Sequence, residues 1–459
     1  MTTFSAVVTT GIYCRPGCGA KPLAENVKTF ELAAGAEAAG FRACLRCRPY
    51  RVAGPVGADA PELVCRAVQL IIAGVLDTGT EAALGERLAV SPRHLRRLFR
   101  DHLGVTPDGL ARSRRAHFAR RLLDDSDLTV ADIAFASGFG SLRQFNRDMK
   151  LVFRAPPVEL RNRRRKADRL AADGGLVLRL PFSPPLHWEA LSAFLAERAV
   201  PGVESVRDGV YRRTISLDGE AGVIEVTRGG GDHLLLTAHM PFWEGLIHVV
   251  GRVGRVFGVD ADPAPAEAGL AADLVIGPLL RARPGLRVPG AWGPFEVAVA
   301  AVLGQYSARA RVRRQLAGLV EAAGRPVPGL EHGLTHLFPS AATLAEADLT
   351  GARLPAEAER TLRTFASAVA DGENLLDPGA SLVGCTAALT ALPGIEQNTA
   401  QEIALRLGHA DAFPGRTFET TSLEHDPAAD AGRPAAAWHP WRAFAATHLI
   451  AAGESTSAG

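Results

Sequence analysis

The chain has 459 residues, 51 Lys+Arg against 49 Asp+Glu, and 47% apolar residues. That length suits roughly two to four domains with real cores, and the composition excludes disorder over the bulk of the chain. No apolar run reaches the roughly 18–20 residues that span a bilayer, no charged-then-apolar leader follows Met1, and six Cys are too few for a disulfide scaffold. A non-membrane, cytoplasmic protein is therefore expected. The near-zero net charge hides an asymmetry. Residues 1–170 carry 28 basic and 17 acidic side chains, residues 171–459 carry 23 and 32. A basic front and an acidic back imply separate modules, the front meeting a polyanion.

Four Cys fall in one early stretch. Cys14-Arg15-Pro16-Gly17-Cys18 is followed 26 positions later by Cys44-Leu45-Arg46-Cys47. Two close pairs separated by a loop form a four-thiolate zinc arrangement, so Cys14, Cys18, Cys44 and Cys47 are the expected Zn²⁺ ligands. On spacing alone such a site could be a structural staple. Cys65 and Cys385 lack ligand spacing and read as buried apolar residues.

Pro61–Ala73 reads as an amphipathic helix. Residues 81–90 then lead into Ser91-Pro92-Arg93-His94-Leu95-Arg96-Arg97-Leu98-Phe99-Arg100. Ser91 is a good N-cap and Pro92 suits the first helical position. Leu95, Leu98 and Phe99 share one face, leaving Arg93, His94, Arg96, Arg97 and Arg100 as DNA-contact candidates. A second copy follows a helix at Leu110–Leu123. Residues 129–139 precede Ser141-Leu142-Arg143-Gln144-Phe145-Asn146-Arg147-Asp148-Met149-Lys150. There Ser141 caps, Phe145 points inward, and Arg143, Gln144, Asn146, Arg147 and Lys150 are free to meet DNA, Gln and Asn being base-edge readers too. The run Arg161–Lys166 reads as a basic linker touching phosphates.

From Gly175 the texture changes to short strands at Leu176–Leu180, Val210–Leu217, Gly222–Thr227 and His233–Ala238. Helices flank them near Trp188–Glu197 and Phe242–Phe257, as in a small α+β unit. From Gly258 the pattern is mainly helical. The expected fold class is multidomain, mainly α with α+β parts.

Three resemblances extend this reading. Residues 9–50, through Thr9-Thr10-Gly11-Ile12-Tyr13-Cys14 and Ala39-Gly40-Phe41-Arg42-Ala43-Cys44, closely resemble the zinc domain of the Ada adaptive-response proteins. The resemblance implies that Cys14 removes a methyl group from a DNA methylphosphotriester, irreversibly. Zinc keeps thiols deprotonated at neutral pH, and methylating Cys14 would remove one negative charge and strengthen DNA binding. The family carries a longer lead before this motif, whereas 13 residues precede Cys14 here; either a first strand is missing or the true start lies upstream. The helix pair over 60–165 looks like an AraC-type double helix-turn-helix domain, which implies double-stranded promoter DNA and RNA polymerase as partners.

Residues 175–452 look like the AlkA-type 3-methyladenine DNA glycosylases of the helix-hairpin-helix superfamily. The resemblance rests on residues 282–290, Pro294–Gln305, Leu392-Pro393-Gly394-Ile395 and Trp438-His439-Pro440-Trp441-Arg442. It implies base extrusion and glycosidic cleavage assisted by an Asp carboxylate. Gln305 matches a base-pocket residue and Gly394 the phosphate-gripping hairpin. The pattern breaks where chemistry needs it. The catalytic Asp belongs six positions after Asp411, where Thr417 stands, and a hydroxyl cannot stabilise a sugar cation as a carboxylate does. Glu396 replaces a hairpin Gly, and Asn398 and Glu402 stand where pocket aromatics belong. The domain is thus a degenerate glycosylase, or uses a displaced carboxylate such as Asp411, Glu419 or Glu424, or carries an altered sequence near 415–435. The expected modules are 1–52, 60–165, 175–257 and 258–452, forming a DNA alkylation-damage response protein. The alternative is a pure regulator with a structural zinc site and an inert last domain.

Overall fold

The computed structural model describes residues 3–20, 22–51, 60–165, 168–170, 174–415 and 435–456, with 454–456 described by backbone alone. The front module is a four-stranded sheet in the order β3-β1-β2-β4: β1 Phe4–Val7, β2 Ile12–Cys14, β3 Val27–Phe30 and β4 Arg42–Ala43, with α1 Ala33–Ala38 against it. The short lead before Cys14 therefore does contain a first strand. It pairs on both sides, with β2 and with β3, and it buries Phe4 edge-on to the Tyr13 ring.

Eight helices follow: α2 Glu62–Ile72, α3 Val75–Thr78, α4 Glu81–Arg87, α5 Pro92–Leu103, α6 Pro107–Asp125, α7 Val130–Ala136, α8 Leu142–Phe153 and α9 Pro157–Asn162. Their starts obey capping chemistry. Thr80, Ser91, Thr106, Thr129 and Ser141 each accept the N–H three residues on, and Thr129 with Asp132 closes a capping box. Gly104, at φ 64°, ends α5 in the left-handed region.

The next unit is a five-stranded antiparallel sheet, β5 Leu176–Pro181, β6 Glu204–Arg207, β7 Val210–Leu217, β8 Glu220–Arg228 and β9 His233–His239, in the order β5-β9-β8-β7-β6. Helices α10 Trp188–Arg198 and α11 Leu246–Val256 cover it. Strand β6 is absent from the sequence reading because Glu204-Ser205-Val206-Arg207 shows only one apolar residue. The remainder is helical: α12 Ala264–Leu270, α13 Ile276–Ala282, α14 Pro294–Tyr306, α15 Arg309–Ala323, α16 Ala341–Glu346, α17 Ala356–Ala370, α18 Leu382–Thr390, α19 Gln397–Leu407 and α20 Arg442–Thr456, with a two-residue ladder between β10 Arg325–Pro326 and β11 His336–Leu337.

The modules are not beads on a string. One continuous core joins Phe4 and Tyr13 of the front sheet, Phe145 and Met149 of α8, and Leu178 and Leu236 of the five-stranded sheet. A polar seam runs alongside. Arg48 Nη1 donates to Asp168 at 2.5 Å, Tyr50 to Asp124 at 2.9 Å and Arg51 to Asp125 at 2.8 Å; Arg179 of β5 reaches the same Asp125 at 3.0 Å. The basic linker is part of this seam. Arg161 donates to the Leu128 carbonyl, Arg164 to the Ser126 carbonyl, and Arg163 pairs with Glu159. These three guanidinia hold the linker to the protein; Lys166 lies outside the described residues.

Candidate metal centre and nucleic-acid interface

Sheet register builds the thiol cluster. Strand β2 pairs in parallel with β4, Tyr13 opposite Ala43, and the Cys44 N–H donates to the Tyr13 carbonyl at 3.0 Å. This places Cys14 beside Cys44. Gly17, at φ 74°, lets the chain turn so that Cys18 returns to Cys14. The four Sγ atoms lie within 4.8 Å of one another, with Cys14 buried and the others half-buried. That matches four sulfurs about 2.3 Å from one ion at tetrahedral corners, so the donor set fits a thiolate-preferring divalent metal. Burial raises the Cys14 thiol, and its hydrogen bond with Cys18 and the neighbouring Cys47 and Cys44 add to that rise. Burial pushes Cys47 up to about 11. Cys44 runs the other way: against burial, the Cys47 and Arg46 amides hold it down. Crowded thiolates repel, and a bound cation offsets that repulsion.

The helix-turn-helix residues fall where amphipathic spacing puts them. Leu95, Phe99, Phe145 and Met149 are fully buried. Arg93, Arg96, Arg97, Arg100, Arg143, Asn146, Arg147 and Lys150 are exposed, while His94 and Gln144 are half-exposed. They are not equally free. Arg96 Nε donates to the buried Glu81 carboxylate, which also accepts the Asp108 N–H at 3.1 Å and so ties α4, α5 and α6 together. Arg97 lies 3.2 Å from His94 Nδ1, Asn146 donates to the Leu142 carbonyl, and Arg147 pairs with Asp148 at 3.1 Å. Glu81 has no signal in the sequence, where it looks like an ordinary first-turn acid.

In the last unit, α18, residues 391–396 and α19 form the helix-hairpin-helix. Gly394 has φ 91°, and a Cβ there would lie 2.1 Å from Thr361 Oγ1, so only Gly fits. Gln305 braces this hairpin. Its Nε2 donates to the Gly394 carbonyl at 2.8 Å, while its Oε1 accepts the Glu396 N–H at 3.1 Å and the Thr399 hydroxyl at 2.8 Å. Three of the four hydrogen-bonding positions of the amide are thus committed to the hairpin, so Gln305 has a bracing role there. Asn398 and Glu402 on α19 are half-buried. Burial raises the Glu402 carboxyl against the pull of Arg198, Arg406 and Arg309.

Asp411 is engaged too. Arg442 grips it bidentately at 2.6 and 2.8 Å and His439 lies 2.8 Å away. Against the upward push of burial, these two partners hold its carboxyl below the usual range. Trp438 is buried and donates to Asp273 at 3.1 Å, and Trp441 lies over Gly269. The Trp438–Arg442 segment therefore serves packing. Thr417, Glu419, Glu424 and His425 lie outside the described residues. Cys385 is buried as expected; Cys65 is only half-buried and donates to the Ala60 carbonyl.

Three family models match the chain: the metal binding domain of Ada over residues 2–50, a helix-turn-helix domain over 84–163 and the AlkA N-terminal domain over 177–293. A Mycobacterium tuberculosis protein named as a probable bifunctional transcriptional activator/DNA repair enzyme AlkA is 37% identical over 454 residues, covering 97% of this chain and 91% of that protein. The chain belongs to the Ada/AlkA family of bifunctional transcriptional activators and DNA repair enzymes. The DNA-3-methyladenine glycosylase 2 of Escherichia coli K12 is 29% identical over 289 residues, 59% of this chain and 95% of its own length. The 3-methyladenine DNA-glycosylase from Archaeoglobus fulgidus superposes with a TM-score of 0.51 at 18% identity over 61% of this chain and 99% of that one, which shows the shared fold. For a family member, the thiol cluster is a metal site, the capped basic helices are DNA-binding elements, and the last half has the glycosylase-like architecture. No helix among the described residues is long and apolar enough to cross a membrane.

Proposed function

We propose that this protein answers DNA alkylation damage by taking a methyl group from a DNA methylphosphotriester onto Cys14, then binding promoter DNA through its two helix-turn-helix units. The convergence of four thiols at the end of β2 carries this reading. Zinc is the metal that fits a four-Cys set, and when bound it supplies the charge that keeps the sulfurs as thiolates at neutral pH. Cys14, Cys18, Cys44 and Cys47 would hold it. Cys14 Sγ attacks the methyl carbon in line. An S–C bond forms as the O–CH₃ bond breaks, and the electron pair leaves with the phosphate oxygen, regenerating a phosphodiester anion. The thioether has no route back, so each chain acts once. The lost negative charge lowers repulsion from DNA phosphates and tightens binding.

The modules fit four stretches: 1–52 as methyl acceptor, 60–165 as DNA reader, 175–257 as α+β subdomain and 258–452 as glycosylase-like. Arg93, His94, Arg97, Arg100, Arg143, Gln144, Asn146, Arg147 and Lys150 face duplex DNA, and an activator of this kind works on RNA polymerase in the cytoplasm. We assign the last unit a non-excising role, because Thr417 stands in for the carboxylate, Asp411 is spent on Arg442, and the Glu396 amide of the hairpin is spent on Gln305. The test is mass spectrometry of the N-terminal peptide after incubation with methylated DNA. A methyl group on Cys14 is expected, and an unmodified Cys14 overturns the proposal. Wild-type excision of 3-methyladenine comparable to that of an active glycosylase overturns the non-excising role, whereas activity gained only in Thr417→Asp supports it.

A further inference from the structure

The two helix-turn-helix units repeat one another in register. Ser91 and Ser141 cap α5 and α8, Leu95 and Phe145 are buried one turn further on, and Arg97 and Arg147 are exposed beyond them. Helix α6 joins the units. Such a pair reads two segments of duplex whose separation follows the distance and angle between the two reading helices, one turn of DNA being about 34–36 Å. Whatever fixes that angle is therefore part of sequence reading.

The thiol module meets both units, each at the C-terminal end of its reading helix. On one side Leu32 and Ala34 are buried in one core with Leu95, Phe99 and Leu103 of α5. Gly35 of α1 lies against the end of that helix: a Cβ there would stand 3.4 Å from the Leu103 carbonyl oxygen and 3.9 Å from that of Gly104. Alanine fits at these distances, whereas a longer side chain has to push the two elements apart. On the other side Ala43 and Tyr50 are buried in one core with Phe145, Met149 and Phe153 of α8. The Tyr50 ring meets the Phe153 ring edge-on, with centroids 5.7 Å apart. The module is also fastened to α6. Glu37 of α1 lies 2.6 Å from His117. The Arg120 guanidinium lies 5.1 Å from the centre of the Tyr50 ring, and the Tyr50 hydroxyl donates to the buried Asp124 at 2.9 Å. A packed body that touches the ends of two helices and the helix joining them fixes the angle between them, because close-packed interiors transmit displacement.

We propose that the thiol module is a wedge between the two units, and that Gly35 and Tyr50 are positioning residues that set which spacing of DNA segments α5 and α8 read together. Gly35 lets α1 close on the end of α5, and Tyr50 holds the end of α8 against α6. Both act through the reading helices and touch neither base nor phosphate. This role rests on the DNA reading proposed above and supplies the residues that set its geometry.

A duplex selected from a random pool by the full zinc-loaded chain tests it. Footprinting locates the two contacted segments, and one base pair is then inserted or removed between them. Each change turns one segment by about 35° and shifts it by about 3.4 Å relative to the other. The wild type is expected to lose about tenfold or more in affinity on either change. Tyr50→Ala and Gly35→Leu are expected to bind the selected duplex about three- to tenfold more weakly, yet to lose less than about threefold on the spacing changes, because their reading helices can reorient. Tyr50→Phe keeps the ring and Gly35→Ala keeps the close approach, so both should retain the wild-type spacing preference. A residue needed only for folding would lower the melting temperature without flattening that preference. The two disruptive variants act on opposite sides of the wedge, so one serves should the other fail to fold. If the wild type selects no sequence, the DNA-reading role falls and the wedge with it. If it selects one, and either disruptive variant, once folded, keeps the full spacing penalty, the wedge alone falls.

Discussion

Tyr13 and His117, 104 residues apart, meet on one carboxylate: the Tyr13 hydroxyl donates to Glu37 Oε1 at 2.7 Å, and His117 Nε2 lies 2.6 Å from the same oxygen. Tyr13 precedes Cys14 of the thiol cluster, and His117 sits on α6, so this contact joins the thiol module directly to the helix-turn-helix module. A double-mutant cycle with Tyr13→Phe and His117→Gln should show a coupling of at least about 0.5 kcal/mol in chemical denaturation. Each single variant should cost about 1–3 kcal/mol, because a buried partner is left unpaired. Additive single effects would mean the three groups touch without acting together.

The exposed arginines of α5 should separate into two kinds. Arg100→Ala should leave the melting temperature unchanged and weaken operator binding, with the log–log salt slope falling by about 1. Arg96→Ala should instead destabilise the fold by about 1–2 kcal/mol, because Glu81 is left buried without its guanidinium. Salt titrations and thermal melts on both variants check this. An unchanged slope in Arg100→Ala removes that residue from the interface.

Removing the hairpin brace should loosen one local element. In Gln305→Ala the Glu396 N–H, the Thr399 hydroxyl and the Gly394 carbonyl lose their shared partner. The Glu396 amide should exchange with deuterium at least tenfold faster, while amides of α14 away from position 305 keep their protection. Equal exchange in both proteins would show that the hairpin holds its shape without the brace.

His448 should make the C-terminal half acid-sensitive. It is fully buried on α20, and burial, with the nearby Arg283 charge adding, holds its imidazole down to about 4. The unfolded chain takes up this proton near pH 6.5, the folded chain only near 4. Between those values the unfolded state binds more protons, so stability is full above about pH 6.5 and falls as the pH drops toward 4, by up to about 3 kcal/mol. His448→Phe should flatten that part of the stability–pH curve in denaturant melts. A slope identical to wild type would place the acid sensitivity elsewhere.

Metal removal should act first on the front module, where the four thiols lie. Chelation, or Cys18→Ser, should release one zinc per chain and abolish methyl uptake by Cys14, while secondary structure from α10 onward is retained. Zinc analysis with far-ultraviolet circular dichroism checks both. Methyl uptake surviving full zinc loss would show that the thiol is activated in some other way.

Local chemistry was written in the chain. Paired Cys spacing announced the metal cluster, Ser91 and Ser141 announced two helix starts, and alternation announced β5, β7, β8 and β9, because each depends on residues a few positions apart. What the tertiary structure decided is who meets whom. Arg96 and Arg100 look alike on the helix, but only the fold puts Glu81 beneath one of them. Gln305 reads as a pocket residue, and only the fold shows that a hairpin 89 residues later takes up its amide. Asp411 reads as a spare catalyst until Arg442 closes on it. Arg161 and Arg164 read only as basic residues, and the fold alone shows that the chain just after α6 offers them carbonyls. A side chain's type fixes the bonds it can form, whereas which bonds form depends on desolvation and distance, and those are set by chain segments far removed in sequence.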